Sequence, residues 1–309
     1  MLLGSVGLCL LLGTGVTSCA SQQPVQPKAR TAVREIPFEL RDCKVIVPAQ
    51  VGSSPELRLA LDNGMSFDGL LLFDAIRDSG FRAKAFEVRI PGAGSGEPAR
   101  GMMSESIPFR IGSIEIRGQP VVCLTDSTMQ GFPSGGVTGY SLFGHWTVQI
   151  DYDRMKITLH EPGTFKADSS WTVLPMELHK NSMPWLKLRA SLDGRDTVDL
   201  DCYIDLPERE VVAFLIQDGA KLRMPKGLEP RHLGRGLSGD VQGWKGRAAF
   251  IALDTFRFED VPIAFAPAET RSKQPGAEAV IGGGLLQYFN TVYDFAGRKL
   301  YIKRNNKGS

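Results

Sequence analysis

Beyond residue 34 the chain is written in short apolar runs. KVIVPAQV, IPFRIG, QPVVCL, TVQIDY and KITLHE are rich in β-branched and aromatic residues, and clusters of Gly, Pro, Asn and Asp separate them. Runs of that length bounded by turn formers predict strands, and their number predicts a mainly antiparallel β architecture with few short helices. One stretch, LLLFDAIRDSG at 70–80, predicts a short helix. The N-terminus follows another pattern. Residues 1–18, MLLGSVGLCLLLGTGVTS, are apolar and uncharged, and 19–34 are polar with Pro24 and Pro27. The apolar run falls short of the ~20 residues of a spanning helix and ends in small residues, which predicts an export signal over 1–18. Residues 19–34 then form an extended tether of roughly 3 Å per residue.

The remainder repeats one plan. LALDNGMS aligns with CYIDLPER, so that Asp62 falls on Asp205; Gly139 in GVTGYSLFGHW falls on Gly282 in AVIGGGLLQYF; Asp151 in VQIDYDRMKITL falls on Asp294 in TVYDFAGRKLYI. Each pair is 143 residues apart, with no gap between anchors. An internal repeat of this kind predicts two lobes, 35–179 and 180–305, followed by a tail at 306–309.

Composition narrows the function. A net charge of +2 and 42 % hydrophobic residues suit one or two globular domains with an ample core. They give no basic field for nucleic acid, and no run of Lys and Arg interleaves with aromatics, so nucleic acid is excluded as a partner. Cys43, Cys123 and Cys202 lie in apolar, strand-like stretches; three buried thiols, or one disulfide and one thiol, both fit. His145, His160, His179 and His232 are scattered and no H-E-x-x-H or C-x-x-C occurs, so no metal site is predicted. Gly139-Tyr140-Ser141-Leu142-Phe143 lacks the last Gly of a serine-hydrolase elbow, and the β-rich pattern does not suit that fold. Gly139 and Gly282 instead read as backbone-contact positions beside the two Asp loops. Two carboxyls at equivalent strand ends can share acid and base work that one alone cannot do.

An apolar strand ending in Asp-x-Gly, then an apolar pair and Gly before a strand that closes on an Asp-aromatic pair, resembles the retropepsin-like and pepsin-like aspartic peptidases. The resemblance spans nearly all of the chain beyond the tether. It implies a bilobal acid-protease-like fold with two tandem retropepsin-like lobes. It also implies a catalytic dyad of Asp62 and Asp205 that holds a water and hydrolyses extended peptide or unfolded protein without metal or organic cofactor. Asn63 stands where the family has Thr or Ser, Gly64 keeps the N–H donor to the carboxylate, and Ser66 supplies a supporting hydroxyl. Residues 90–101, with Gly92, Gly94 and Gly96, take the place of the flap. The second Gly-rich segment, 232–246, reads as an ordinary surface hairpin, since pepsin-like enzymes use one flap.

The second loop departs from the family. Leu206 has no hydroxyl and Pro207 no N–H; Glu208 and Arg209 follow. The intact first loop therefore predicts Asp62 as the ionised partner and Asp205 as holder of the shared proton, unless Arg209 pairs with Asp205. The same loop supports an alternative, a catalytically inactive peptide-binding lipoprotein of this fold. Val16-Thr17-Ser18-Cys19 resembles the lipobox of bacterial lipoproteins, which implies lipidation of Cys19 and a membrane anchor on the non-cytoplasmic side. Ala20, in place of the Asp that retains such proteins at the inner membrane, directs the expectation to the outer membrane and periplasm.

Overall fold

A computed structural model describes residues 34–65, 68–74, 81, 84–105, 107–179, 182–271 and 274–308. Three sheets make up nearly all of it. Ten strands between Glu39 and Thr138 form the sheet of the first lobe, and eight between Glu177 and Gly282 form that of the second. A six-stranded sheet joins them, and it draws strands from both halves: Arg34–Pro37, Lys156–His160, Thr147–Asp151, Phe289–Asp294, Lys299–Arg304 and Thr172–Pro175, in that order. The fold is all-β and bilobal.

At the centre of the joining sheet, Val148, Gln149 and Ile150 pair antiparallel with Tyr293, Val292 and Thr291. The pairing is symmetric about Gln149 and Val292, which are 143 residues apart like the sequence anchors. Both strands are apolar on both faces, which suits a central place in the sheet. Val148, Ile150, Val292 and Tyr293 are buried, and Phe143 packs edge-on to Tyr293 and stacks on Phe295, with ring centroids 5.2 and 5.4 Å apart. One apolar core runs from Leu59 and Leu61 through Leu142 to Ile204, Leu206 and Leu285, directly behind both Asp loops.

The same local device carries each Asp. Leu57–Leu61 runs parallel to Gly136–Thr138, with Leu61 opposite Thr138; Val198–Asp205 runs parallel to Ala279–Gly282, with Ile204 opposite Ile281. Gly139, just past the first crossing strand, and Gly282, the last residue of the second, each lead into a one-turn helix, Tyr140–Phe143 or Gly283–Leu286. Parallel neighbours leave their carboxyl ends side by side, so a side chain there meets a backbone coming in from elsewhere.

The start of the helix predicted at 70–80 is corrected. Leu70–Leu72 is a strand between Val121–Leu124, which runs parallel to it, and Gly136–Thr138, which runs antiparallel; residues 75–80 lie outside the described residues. Three leucines buried on both faces look alike in helix and strand, and the flanking strands decide between them. Cys43, Cys123 and Cys202 all stand as thiols, with no disulfide among the described residues.

Candidate active site

Asp62 follows its strand at once and Asp205 ends its own, and both face one cavity of about 400 Å3. The first lobe gives this cavity an apolar wall that includes Leu71, Phe73, Met129 and Phe132, while the second lobe contributes Glu208, Arg209 and Arg271. Lys44, which opens the buried strand Lys44–Val51, also reaches it.

Asn63 does more than stand in for a Thr. It is buried, and its amide crosses between lobes: Nδ2 donates to the Ile204 carbonyl at 3.2 Å, while Oδ1 accepts from the Leu206 N–H at 2.8 Å. One side chain therefore grips the backbone on both sides of Asp205. Leu206 needs no hydroxyl in return; it is 1 % exposed and packs into the core, a burial worth about 1.5–3 kcal/mol. Gly64 donates its N–H to Asp62 Oδ1 at 2.8 Å. Ser66 and Cys19 lie outside the described residues.

Gly139 and Gly282 are both close-approach positions, but against different partners. A Cβ at Gly139 would overlap the Asp62 carbonyl oxygen; one at Gly282 would overlap the carbonyl oxygen of Glu210. The loop after Asp205 itself is met by Gly283, where a Cβ would stand 2.5 Å from the Leu206 oxygen. Ser141 is buried, accepts from the Gly69 N–H at 2.7 Å and donates to Gln119 Oε1 at 2.7 Å, which makes it a packing hydroxyl and no nucleophile.

The hairpin of Phe86–Ile90 and Ala99–Ser104 carries Gly92, Gly94 and Gly96 at its tip. The expectation of an ordinary surface hairpin at 232–246 is corrected here. Strands Pro230–Gly236 and Gly239–Leu253 turn at Leu237 and Ser238, and this tip docks on the first one. The Gly96 N–H donates to the Ser238 carbonyl at 2.6 Å, the Ser238 N–H to the Ala93 carbonyl at 2.8 Å, and the Gly92 N–H to Ser238 Oγ at 3.3 Å. Gly94, at φ +119°, also donates to the Thr270 carbonyl at 2.7 Å. No side chain fits at that position, because a Cβ would overlap the Ser238 carbonyl group. Two glycine-rich hairpins thus meet over the cavity.

Arg209, left open as a partner of Asp205, does not pair with it. Arg209 is half exposed and lies 3.7 Å from Glu210. The guanidinium at Asp205 belongs to Arg271, the last residue of the short helix Ala268–Arg271 and 9 % exposed. Its Nη2 donates to Asp205 Oδ2 at 2.9 Å and to Glu208 Oε2 at 2.5 Å, and Nη1 to the Tyr203 hydroxyl at 3.3 Å. No repeat or motif marks Arg271 in the sequence. Lys44 left a fainter signal, a charge heading the apolar run VIV. Among the described residues no cluster is arranged to hold a metal ion; the positive charge facing the three carboxyls comes from Arg271 and Lys44.

Electrostatics couples the two aspartates. Burial and the charge of Asp205 push Asp62 up to about 7, against the Gly64 and Met65 N–H groups that favour its anion. Burial also raises Asp205, while Arg271 opposes the rise. At Glu208 burial works the same way, but Arg271 and the Glu210 N–H outweigh it and hold the carboxyl below its ordinary value.

No family model matches the chain, and no curated sequence does. Among solved structures the chain is similar to an aspartic proteinase from Irpex lacteus, with a TM-score of 0.55 over 89 % of this chain and 98 % of that one. Identity is 13 %, and the likeness at that level establishes an acid-protease-like fold.

Proposed function

We propose that the chain is an exported aspartic endopeptidase-like protein that hydrolyses peptide bonds in extended or unfolded polypeptide, with Asp62 and Asp205 as its dyad. One observation carries the reading: the two carboxyls, each held at a strand end, face a single cavity beneath a glycine-rich hairpin. Two coupled acids so placed hold one proton between them. The ionised carboxylate accepts a proton from water as the water oxygen bonds to the scissile carbonyl carbon, and the protonated carboxyl gives its proton to the carbonyl oxygen. Collapse of the tetrahedral intermediate breaks the C–N bond, a proton passes to the leaving nitrogen, and the pair again holds one proton.

Digestion of an unfolded protein tests this. Asp62→Asn and Asp205→Asn are each expected to lower the rate by roughly 10²–10⁴-fold, the usual worth of general acid–base catalysis. Full activity in Asp62→Asn contradicts the proposal. The ion pair on Asp205 and the missing N–H at Pro207 favour a second reading, a protein that grips peptide without cutting it. Measurable affinity for a peptide that stays intact at every pH selects that reading.

Export and anchoring rest on the Val16-Thr17-Ser18-Cys19 sequence. Lipid at Cys19 holds both lobes on the non-cytoplasmic side of a bacterial membrane. Labelled palmitate is expected to enter the protein and to be lost in Cys19→Ala; equal labelling of the variant rules the anchor out.

A further inference from the structure

The two aspartates are not in equivalent surroundings. Asp205 is in direct contact with a cation, whereas the hydrogen bond to Asp62 Oδ1 comes from the neutral Gly64 N–H. The cation is itself fixed. Arg271 divides the two N–H bonds of Nη2 between Asp205 and Glu208, and Glu208 is held in turn by the Glu210 N–H at 3.0 Å. The charged groups that face Asp205 are Asp62 from the first-lobe loop, Lys44 from its strand, Glu208 from the same loop and Arg271 from the short helix; the hydroxyl of Tyr203 lies against the far side of Arg271. Lys44 is itself paired with Asp42, its Nζ 3.1 Å from Oδ2, so the carboxyls outnumber the cations that face them and a shared proton reduces the excess of negative charge.

We propose that Arg271, clamped by Glu208, is a positioning residue that assigns the negative charge of the pair to Asp205 and leaves the shared proton on Asp62. This rests on the dyad reading above and deepens it. Asp205 then takes the proton from the attacking water, and Asp62 donates to the substrate carbonyl. The roles are the reverse of those the loop sequences predict, because Arg271 supplies from outside the loop more than the N–H that Pro207 lacks.

The pH profile of kcat/KM separates this from simple packing. The acid limb belongs to Asp205 and the alkaline limb to Asp62, whose carboxyl is pushed up to about 7. Removing the cation in Arg271→Met is expected to move the acid limb up by about one pH unit or more. Removing the competing anion in Glu208→Gln, which keeps size and shape, is expected to move it down. Arg271→Lys retains the charge and is expected to restore part of the shift. The carboxyl carbon resonances of ¹³C-labelled aspartate, titrated without substrate, follow the same order, with Asp205 ionising at lower pH than Asp62. If Arg271→Met and Glu208→Gln leave both limbs and both resonances in place, Arg271 only packs and the proposal is overturned. Should Arg271→Met fail to fold, Glu208→Gln still gives the sign. If the wild type cleaves no peptide, the hydrolysis reading fails alone. The resonances still decide whether Arg271 sets the order, and Asp62 ionising first overturns it.

Discussion

Gly139→Ala is expected to destabilise the protein by about 3 kcal/mol and to remove most of any hydrolytic activity. Gly139 leaves no space for a side chain. A Cβ there would overlap the Asp62 carbonyl oxygen and stand 2.9 Å from its carbon and 3.0 Å from Met65 Cβ. The obstacle is backbone, with no flexible side chain to swing aside. That backbone is pinned from both ends, since the Asp62 N–H donates to the Thr138 carbonyl at 2.8 Å and the Asp62 carbonyl accepts from the Met65 N–H at 3.3 Å. The added methyl must therefore push the Asp62 loop away from the strand that positions it. A displacement of about 1 Å at a reacting group lowers a rate on the order of 10²-fold. Urea unfolding and kcat/KM on one preparation check both parts. Gly282→Ala, which meets the Glu210 oxygen instead, is expected to disturb the Glu208 and Arg271 clamp more than Asp205.

Asn63→Ala has the second large effect, because it empties both ends of one cross-lobe bond pair. The Ile204 carbonyl and the Leu206 N–H lose their Asn63 partner in a buried place, and each such loss costs about 1–3 kcal/mol. The expected loss of stability is therefore about 2–6 kcal/mol, accompanied by a fall of on the order of 10²-fold in kcat as Asp205 loses its alignment with Asp62. Asn63→Thr keeps one hydroxyl that can still bond across and is expected to lie between wild type and Ala. Calorimetric unfolding of the two variants orders them. Leu206→Thr is not the mirror image of this change, since it sets a new hydroxyl into core already gripped by Asn63.

These contrasts mark how far the sequence can be read. Asp62, Asp205, Gly139 and Gly282 were legible because each sits at a strand end whose apolar run and turn residues are local and recur at one spacing. Arg271 was not legible. It meets Asp205 across 66 residues of chain, and a buried Arg leaves no periodic trace. Arg209, next to Glu208 in sequence, was the obvious cation but turns to Glu210 instead. Asn63 could be recognised as a replacement for Thr, but its two-sided grip depends on how closely the second loop approaches. The hairpin at Leu237 and Ser238 showed only its glycines; its docking on Ala93 and Gly96 is a property of two lobes folded together. Leu70–Leu72 failed for the opposite reason, since a short apolar run carries too little information to separate buried strand from helix.

The proposed hydrolysis requires Asp62 and Asp205 to act as one unit on a peptide in the cavity they face. Titration calorimetry with a statine-containing peptide tests that most directly, because the statine hydroxyl takes the place of the attacking water between the two carboxyls. Wild type is expected to bind it, and Asp62→Asn and Asp205→Asn are each expected to weaken Kd by about 10-fold or more, since an amide cannot hold the shared proton. Equal affinity in the wild type and both variants would contradict the dyad and leave a cavity that binds peptide without using its aspartates.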